Sequence, residues 1–326
     1  MSTNTQTLAE RAMLVSLRMS CWLPGTVDRA ITEKVAADYS VSARRAGSYR
    51  KYVIDPDTPS YRAVRRALGD LRTRYYWHTL PWAHHGARIL PAVSFAQYSD
   101  DMRKLSGRFT DAVDAFTGEW PRLTTLAVAQ TNGLVKESDF PADIRARFGV
   151  DLQVMPIPTV GDFRVSMSDA DAAALKAQME LGVQTQIREA LALAAREPYE
   201  RLYKHVARMT ERLSNPDASF HDTLVTGLRD LCAMLPAMNL TDDAQLDALR
   251  DLADKMVANV TPAQLRDVPV IRERVAKDAE QLKQLIAPHI ADTGSAVPES
   301  DEVTRAAAGI EATMGSFMAF GVNGSK

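Results

Sequence analysis

Basic and aromatic residues are interleaved between Val41 and Arg88, and the residue types of this segment point to a binding chemistry. The segment contains ten lysines and arginines, three acidic residues and seven tyrosines and tryptophans. Single-stranded nucleic acid is bound by this combination, because cations neutralise the phosphates and flat rings stack on the bases. The residues predicted to contact nucleic acid are Arg44, Arg45, Arg50, Lys51, Arg62, Arg65, Arg66, Arg72, Arg74, Tyr76 and Trp77.

A simpler interpretation of the same segment is a solvated helix face whose tyrosines and tryptophans belong to the core. Arg62, Arg65 and Arg66 lie within about one helical turn, and Arg72 continues along the same predicted helix. Part of the positive charge is therefore expected on one face under either interpretation. The composition alone does not separate a binding face from a solvated one.

Sequence signatures of catalysis, cofactor binding and metal binding are not found. The chain lacks the GxxxxGK[ST] phosphate loop and the GxGxxG, HExxH, CxxC and GxSxG motifs. His78, His84 and His85 form a local histidine group, but no carboxylate or cysteine near them in sequence completes a metal site. Acidic pairs at turns and helix starts are interpreted as caps: Asp55 with Asp57, Asp100 with Asp101, and Asp169 with Asp171. We therefore expect a protein that is not an enzyme and that holds no cofactor and no metal.

Local patterns predict the elements that position the arginine-rich segment. Met13–Trp22 alternates between apolar and polar residues, which is typical of a half-buried strand. Thr58 followed by Pro59 indicates the start of a helix, which is expected to end near His78. A further helix is predicted with Thr26 or Asp28 as its cap. A strand is predicted over Gly86–Phe95, which Pro91 interrupts or places at a sheet edge. A helix over Ala96–Phe116 and a separate helical stretch over Leu123–Gln130 are expected to follow.

Residues 168–286 keep a spacing of three and four between apolar residues, which predicts helices throughout this part of the chain. The expected helices run from Ser168 to Asn215, over Phe220–Met234, over Asp242–Val260 and over Pro262–Ile286, the last capped by Thr261. The predicted fold class is α+β and mostly helical. A small N-terminal sheet covered by helices is followed by a C-terminal helical bundle or long helical hairpin.

Charge divides the chain into chemically different parts. Residues 1–150 contain 21 basic and 15 acidic residues, whereas the remainder contains 18 basic and 26 acidic residues. We predict a basic, aromatic-rich α+β domain over residues 1–166, an acidic helical domain over residues 167–287 and a flexible tail over residues 288–326. Apolar side chains near the end of the tail are expected to bind a partner or a neighbouring subunit, or to fold back on the core: Met314, Phe317, Met318 and Phe320.

Cysteine content and hydropathy bound the compartment. Cys21 and Cys232 are too few and too far apart in sequence for a disulfide framework, which favours a reducing environment. The uncharged run Leu123–Val135 is shorter than the roughly 20 apolar residues of a membrane span. A signal peptide is not expected, because Arg11 and Arg18 bracket the N-terminal apolar stretch. These features predict a cytoplasmic protein that does not cross a membrane.

Several strings of residues together resemble a protein family: MLVSLRMSCW, RRAGSYRKYV, HTLPW, GARILP, DFPADIRARFGV and PIPTVGDFRVSMS. They resemble an uncharacterised family of helical proteins from phages, prophages and proteobacterial mobile elements, often beside genes for MoxR-type AAA+ ATPases. The resemblance extends over about residues 8–290 and includes no diagnostic catalytic motif. The family supplies no functional residue that could be carried over to this chain.

Two functions are favoured by these observations. The first is a phage-type binding protein whose first half binds single-stranded nucleic acid and whose helical second half self-assembles, as a homo-oligomer, or recruits partners. The alternative is an adaptor or scaffold for a MoxR-type AAA+ ATPase, in which the arginine-rich segment contacts an acidic protein surface. A hydrolase with an unrecognised site is a third, weaker hypothesis. Salt-dependent affinity for an oligonucleotide would distinguish the first two.

Overall fold

The computed structural model describes residues 8–82, 86–158 and 169–290. The chain forms two compact units that alternate along the sequence. The unit that we call the arginine unit contains residues 15–79 and 94–155. The unit that we call the bundle unit contains the other described residues, which are 8–14, 80–82, 86–93, 156–158 and 169–290. Each unit is therefore built from segments that are distant in sequence, whereas the predicted domains over 1–166 and 167–287 are contiguous.

The elements are labelled in chain order. The strands are β1 (Ala12–Ser20), β2 (Gly25–Val27), β3 (Arg50–Tyr52), β4 (Leu80–Pro81), β5 (Ala87–Pro91) and β6 (Gly149–Met155). The labelled helices are α1 (Arg29–Asp38), α2 (Ala43–Ala46), α3 (Pro59–His78), α4 (Phe95–Gln130), α5 (Asp169–Ser214), α6 (Thr223–Met238), α7 (Ala244–Val257), α8 (Pro262–Asp267) and α9 (Pro269–Ile290). This content confirms the predicted α+β, mostly helical fold class.

The strands form a four-stranded sheet and a separate two-stranded ribbon. The sheet has the order β4-β5-β1-β6, and β2 pairs only with β3. In the ribbon, Gly25 lies opposite Tyr52 and Val27 lies opposite Arg50 in an antiparallel register. β5 is an inner strand that ends at Pro91. Pro91 therefore interrupts the predicted strand and does not mark a sheet edge. An inner strand can hold a proline at its last residue, because few ladder hydrogen bonds are lost there.

The arginine unit is organised around an antiparallel pair of helices, α3 and α4. The Ser60 hydroxyl donates to Glu119 at 2.8 Å near one end of the pair, and the His78 ring lies 2.8 Å from Asp101 near the other. Between these ends Tyr61 and Phe116 are fully buried, with ring centroids 5.6 Å apart. The N-terminal start of α3 is the predicted one, since Thr58 precedes Pro59 at the first helical position.

α4 is one continuous helix where the sequence predicted two. Pro121 lies inside it, and a proline in a helix interior removes one backbone hydrogen bond and crowds the preceding turn. The hydroxyls of Thr124 and Thr125 both donate to the Pro121 carbonyl oxygen, at 3.0 and 2.9 Å. Buried side chains on both sides of the proline, Phe116 and Leu123, hold the helix in place. Packing therefore overrides the local signal that separated the two predicted helices.

The bundle unit packs α5 against α6 and α9, with α7 against α6 and α9. Its core is lined by aliphatic residues from each helix, including Leu202, Leu228, Leu249 and Leu282. Every described residue from 169 to 290 lies in a helix or in a connection between helices, which confirms the helical prediction for that part of the chain. The Ser168 cap and the tail over residues 288–326 lie outside the described residues, except for residues 288–290.

The predicted helix over Pro262–Ile286 is in fact two helices, α8 and α9. Thr261 caps α8 as predicted, and its hydroxyl accepts from the Gln264 backbone N–H at 3.2 Å. Val268 then adopts an extended conformation with φ of −122° and ψ of 96°. A residue before proline is disfavoured in the helical region, so Pro269 ends one helix and begins the next. The signal was present in the sequence as Val268-Pro269.

Candidate nucleic-acid interface

The predicted interface residues divide into three groups in the arginine unit. Arg62, Arg65, Arg66, Arg72, Arg74, Tyr76 and Trp77 lie on α3, Arg44 and Arg45 lie on α2, and Arg50 and Lys51 lie on β3. The partner-binding residues predicted in the tail, Met314, Phe317, Met318 and Phe320, lie outside the described residues.

Four of the α3 arginines share one face of the helix. Arg62, Arg65 and Arg66 are separated by three and four residues, and Arg72 follows Arg65 after two further turns. Residues at these separations project from the same side of an α-helix. Tyr76 lies four residues beyond Arg72 and is 48% exposed. We call Arg62, Arg65, Arg66, Arg72 and Tyr76 the arginine face, which extends over about 21 Å of helix at 1.5 Å per residue.

The arginine face is open at its middle. Gly69 lies on this face between Arg66 and Arg72, and a Cβ atom added there would meet nothing within 4 Å. The opposite side of α3 is the buried side, with Tyr61, Val64 and Leu71 in the core. The helix is therefore amphipathic, and its solvent side is flat, basic and ends in an aromatic ring.

The charge of the arginine face is not neutralised by the residues that the structure describes. Asp70 is the single acidic residue in the sequence of α3. None of Arg62, Arg65, Arg66 and Arg72 forms an ion pair with a residue that the structure describes. Arg74 differs, because it lies on another side of α3 with its Nε 3.6 Å from the Asp101 carboxylate. Among the described residues, none balances the positive charge of these four arginines by an ion pair.

Lys51 does not belong to this exposed surface, although the sequence predicted it there. Its side chain is 7% exposed, and its Nζ lies 3.0 Å from Asp28 and 2.8 Å from Asp139. The ammonium also donates to the Leu134 carbonyl oxygen at 2.9 Å. Hydrogen bonds to Asp139 and Asp28 outweigh burial and raise the pKa of Lys51. All three donors of the ammonium are thus occupied, and Lys51 joins three chain segments instead of contacting a phosphate.

The ribbon of β2 and β3 carries a second basic and aromatic surface. Arg50 and Tyr52 are both exposed and lie on the same side of β3, because strand side chains alternate. They flank Gly25, where an added Cβ would lie 3.0 Å from Arg50 Cδ and 3.3 Å from Tyr52 Cε1. The absence of a side chain at Gly25 therefore lets the tyrosine ring and the arginine stem lie against the strand. We call Arg50 and Tyr52, with the exposed Tyr49, the ribbon surface.

Aromatic residues in and just before the arginine-rich segment are divided between the core and the surface. Tyr61 and Tyr75 are buried, and each hydroxyl donates to a backbone carbonyl, of Trp22 and of Val15 respectively, at 2.9 Å. Tyr39, Tyr49 and Tyr52 are exposed by 76%, 41% and 54%, yet sequence reasoning did not select them as interface residues. Tyr52 is exposed because side chains alternate along β3 and Lys51 is the buried one. Trp77, which was predicted as an interface residue, is half-buried.

The His78 ring is buried beside Asp101 and is not part of the arginine face. Its Nε2 lies 2.8 Å from the carboxylate, and its Nδ1 lacks a hydrogen-bond partner among the described residues. Burial lowers the pKa of His78, even though the bond to Asp101 acts in the opposite direction. The described residues contain no group of three or more histidine, cysteine or acidic side chains that could hold a metal ion. His84 and His85 lie outside them.

Comparisons with family models, curated proteins and solved structures find no match. Among the described helices, none is both long and apolar enough to cross a membrane.

Proposed function

We propose that this protein binds single-stranded nucleic acid through the arginine face of α3, assisted by the ribbon surface. The observation that carries the proposal is the alignment of four exposed arginines that lack ion pairs with described residues and end at an exposed tyrosine. Guanidinium groups match phosphate oxygens in geometry and charge. Because none of these arginines forms an ion pair with a described residue, binding a phosphate breaks no ion pair within the described part of the chain.

The exposed rings favour a single strand over a duplex. Tyr76 on α3 and Tyr52 on the ribbon offer flat surfaces on which an unpaired base can stack. Bases of a duplex are stacked on each other, so these rings would gain nothing from a duplex partner. The arginine unit contains 19 basic and 15 acidic residues, a balance that favours a polyanion.

The proposal describes a binding protein and not an enzyme. The resemblance to a phage and prophage family supports a role in phage biology, with self-assembly or partner recruitment by the helical second half. Cys21 and Cys232 are not joined in a disulfide, which fits the proposed cytoplasmic location.

The alternative function is an adaptor for an AAA+ ATPase, in which the arginine face contacts an acidic protein surface. The same unpaired guanidiniums favour it, because carboxylates are bound by the same chemistry as phosphates. The exposed tyrosines beside the arginines favour nucleic acid, since ring stacking has no counterpart on a carboxylate-rich surface.

The proposal is tested by fluorescence anisotropy of the full-length protein with a short labelled oligothymidine and with a duplex of equal length. We expect the single strand to bind more tightly. Arg65→Gln/Arg66→Gln should weaken that binding about tenfold, roughly 1.4 kcal/mol. The matched control is Arg108→Gln/Arg147→Gln, which removes two exposed arginines of the same unit that also lack ion pairs with described residues. Absence of binding at low salt, or equal weakening by the control, would reject the proposal and leave the adaptor function.

A further inference from the structure

The bundle unit contains a basic pocket of about 450 Å³ between the last turns of α5 and the segment that leads into α6. His205, Arg208 and Arg212 line one wall, and their separations of three and four residues place them on one face of α5. Ser219, His221 and Thr223 line the opposite wall. The pocket lies wholly within the bundle unit and is independent of the arginine face.

The charge in this pocket is positive and is not compensated by the residues that the structure describes. Arg208 and Arg212 are exposed and form no ion pair with a described residue. No carboxylate lines the pocket. Asp222 is adjacent in sequence, but its carboxylate is paired with Arg266. The hydroxyls of Ser219 and Thr223 add neutral donors on the side opposite the arginines.

The orientation of the His205 ring in the pocket lining is fixed by contacts with the start of α6. Its Nε2 lies 2.9 Å from the Leu224 carbonyl oxygen, to which it donates. A Cβ atom at Gly227 would lie only 3.0 Å from His205 Cε1, so α6 approaches the ring closely because Gly227 has no side chain. Burial lowers the pKa of His205; the hydrogen bond to the Leu224 carbonyl acts in the opposite direction, and the charge of Arg208 lowers the pKa further. The ring therefore experiences the positive charge of Arg208, and no carboxylate is among the described residues that line the pocket.

We propose that this pocket binds the phosphate group of a small phosphomonoester. Two guanidiniums on one wall and two hydroxyls on the other match the several oxygens of a phosphate, which carries close to two negative charges at neutral pH. The volume of the pocket lies in the range of small-molecule sites and exceeds what one phosphate fills. The ring of Phe220, which also lines the pocket, provides an apolar surface for the organic part of the ligand.

The test is isothermal titration calorimetry of the full-length protein with AMP, adenosine and inorganic phosphate as probes. We expect AMP to bind, inorganic phosphate to compete with it, and adenosine not to bind. Arg208→Gln/Arg212→Gln should weaken AMP binding at least tenfold, because two charge-assisted contacts are lost. Arg188→Gln is the control on the same helix, since Arg188 is exposed and outside the pocket. It should change the affinity less than twofold.

A second measurement uses the wild-type protein alone and does not depend on how the variants fold. The pKa of His205, followed by NMR of its ring protons, should rise when AMP is bound, because an anion stabilises the charged imidazole. The proposal is overturned if AMP does not bind, if adenosine binds as tightly as AMP, or if the His205 pKa stays unchanged at saturating AMP. Undiminished AMP binding by a folded Arg208→Gln/Arg212→Gln variant would overturn it equally.

Discussion

The arginine face of α3 and two helix ends of the bundle unit use arginine side chains in opposite ways. On the arginine face of α3, guanidiniums project into solvent without ion pairs to described residues. In the bundle unit, Arg229 donates to the carbonyl oxygens of Val257 and Val260 at 2.6 and 2.8 Å, and so caps the end of α7. Arg272 donates to the carbonyls of Arg212, Leu213, Asn215 and Ala218 just where α5 ends. An arginine is therefore informative about binding only once its partners are known.

The difference has a physical basis in the donor count of the guanidinium. Five N–H groups must find acceptors, and the last carbonyls of a helix have no intrahelical donor. Arg229 and Arg272 satisfy both requirements within the fold, so their removal affects stability. The arginine face leaves its donors to water, so its removal should affect binding alone.

The largest expected effect is on stability, at Lys51. This residue lies in the arginine-rich segment but belongs with the paired side chains, because Asp28 and Asp139 both contact its ammonium. Lys51→Met should lower the free energy of unfolding by about 3 kcal/mol, because it leaves two partly buried carboxylates without their cation. Urea denaturation measures this loss. A change below about 0.5 kcal/mol would mean that the ion pairs are not structural.

Acid dependence provides a control for the same network. A hydrogen bond from the Ile31 backbone N–H lowers the pKa of Asp28, and a hydrogen bond from Lys51 lowers it further. Burial acts to raise the pKa of Asp139, but hydrogen bonds from Lys51 and from the Lys136 backbone N–H outweigh burial, so that this pKa is lowered as well. A lowered carboxyl pKa contributes stability that is present above the unfolded value of about 3.8 and is lost as the pH falls through the folded pKa. Wild-type stability should therefore fall more steeply below pH 4 than that of Lys51→Met. Parallel pH profiles would contradict this assignment.

A smaller loss of stability is expected at Arg272. Arg272→Ala leaves several carbonyl oxygens at the end of α5 without a donor and removes the guanidinium that lies 5.6 Å from the Phe220 ring centroid. We expect a loss of about 2 kcal/mol in the free energy of unfolding and no change in oligonucleotide affinity. Arg72→Ala is the matched control on the arginine face and should change stability by less than about 0.5 kcal/mol. Equal destabilisation by both variants would remove the contrast between the two kinds of arginine.

The smallest effect concerns the ring of Tyr76. Tyr76→Ala should weaken oligonucleotide binding by roughly 1 kcal/mol, because one stacking surface is lost. Tyr76→Phe retains the ring and should bind as the wild type does. If Tyr76→Ala lowers the melting temperature strongly, the ring belongs to the core, which its T-shaped contact with Tyr75 at 5.6 Å would then explain.

Local signals in the sequence were sufficient for the position of the arginine face. Thr58-Pro59 placed the start of α3 correctly, and helical periodicity then placed Arg62, Arg65 and Arg66 on one side. The choice of Tyr76 as an interface residue agrees with its exposure. These features depend on residues within a few turns of each other, so the chain itself contains the information.

Contacts between distant residues were beyond sequence reasoning. Lys51 looks like one more cation in a basic segment, and its burial depends on Asp28 and Asp139, which belong to other segments. The continuity of α4 through Pro121 depends on packing against α3. Segments of the two units alternate along the chain, and this alternation cannot be seen in the composition. The break between α8 and α9 is different, because Val268-Pro269 is a local signal that predicts a helix end at this position.

The central claim is that the arginine face is a phosphate-binding surface, and the salt dependence of affinity tests it most directly. Each phosphate contact with a single strand contributes about 0.7 to the slope of log affinity against log salt concentration. Arg65→Gln/Arg66→Gln should therefore reduce the magnitude of the slope by about 1.4 relative to the wild type. Arg108→Gln/Arg147→Gln should leave it unchanged. Identical slopes for the wild type and the α3 variant would contradict the claim, as would a wild-type protein whose affinity does not depend on salt.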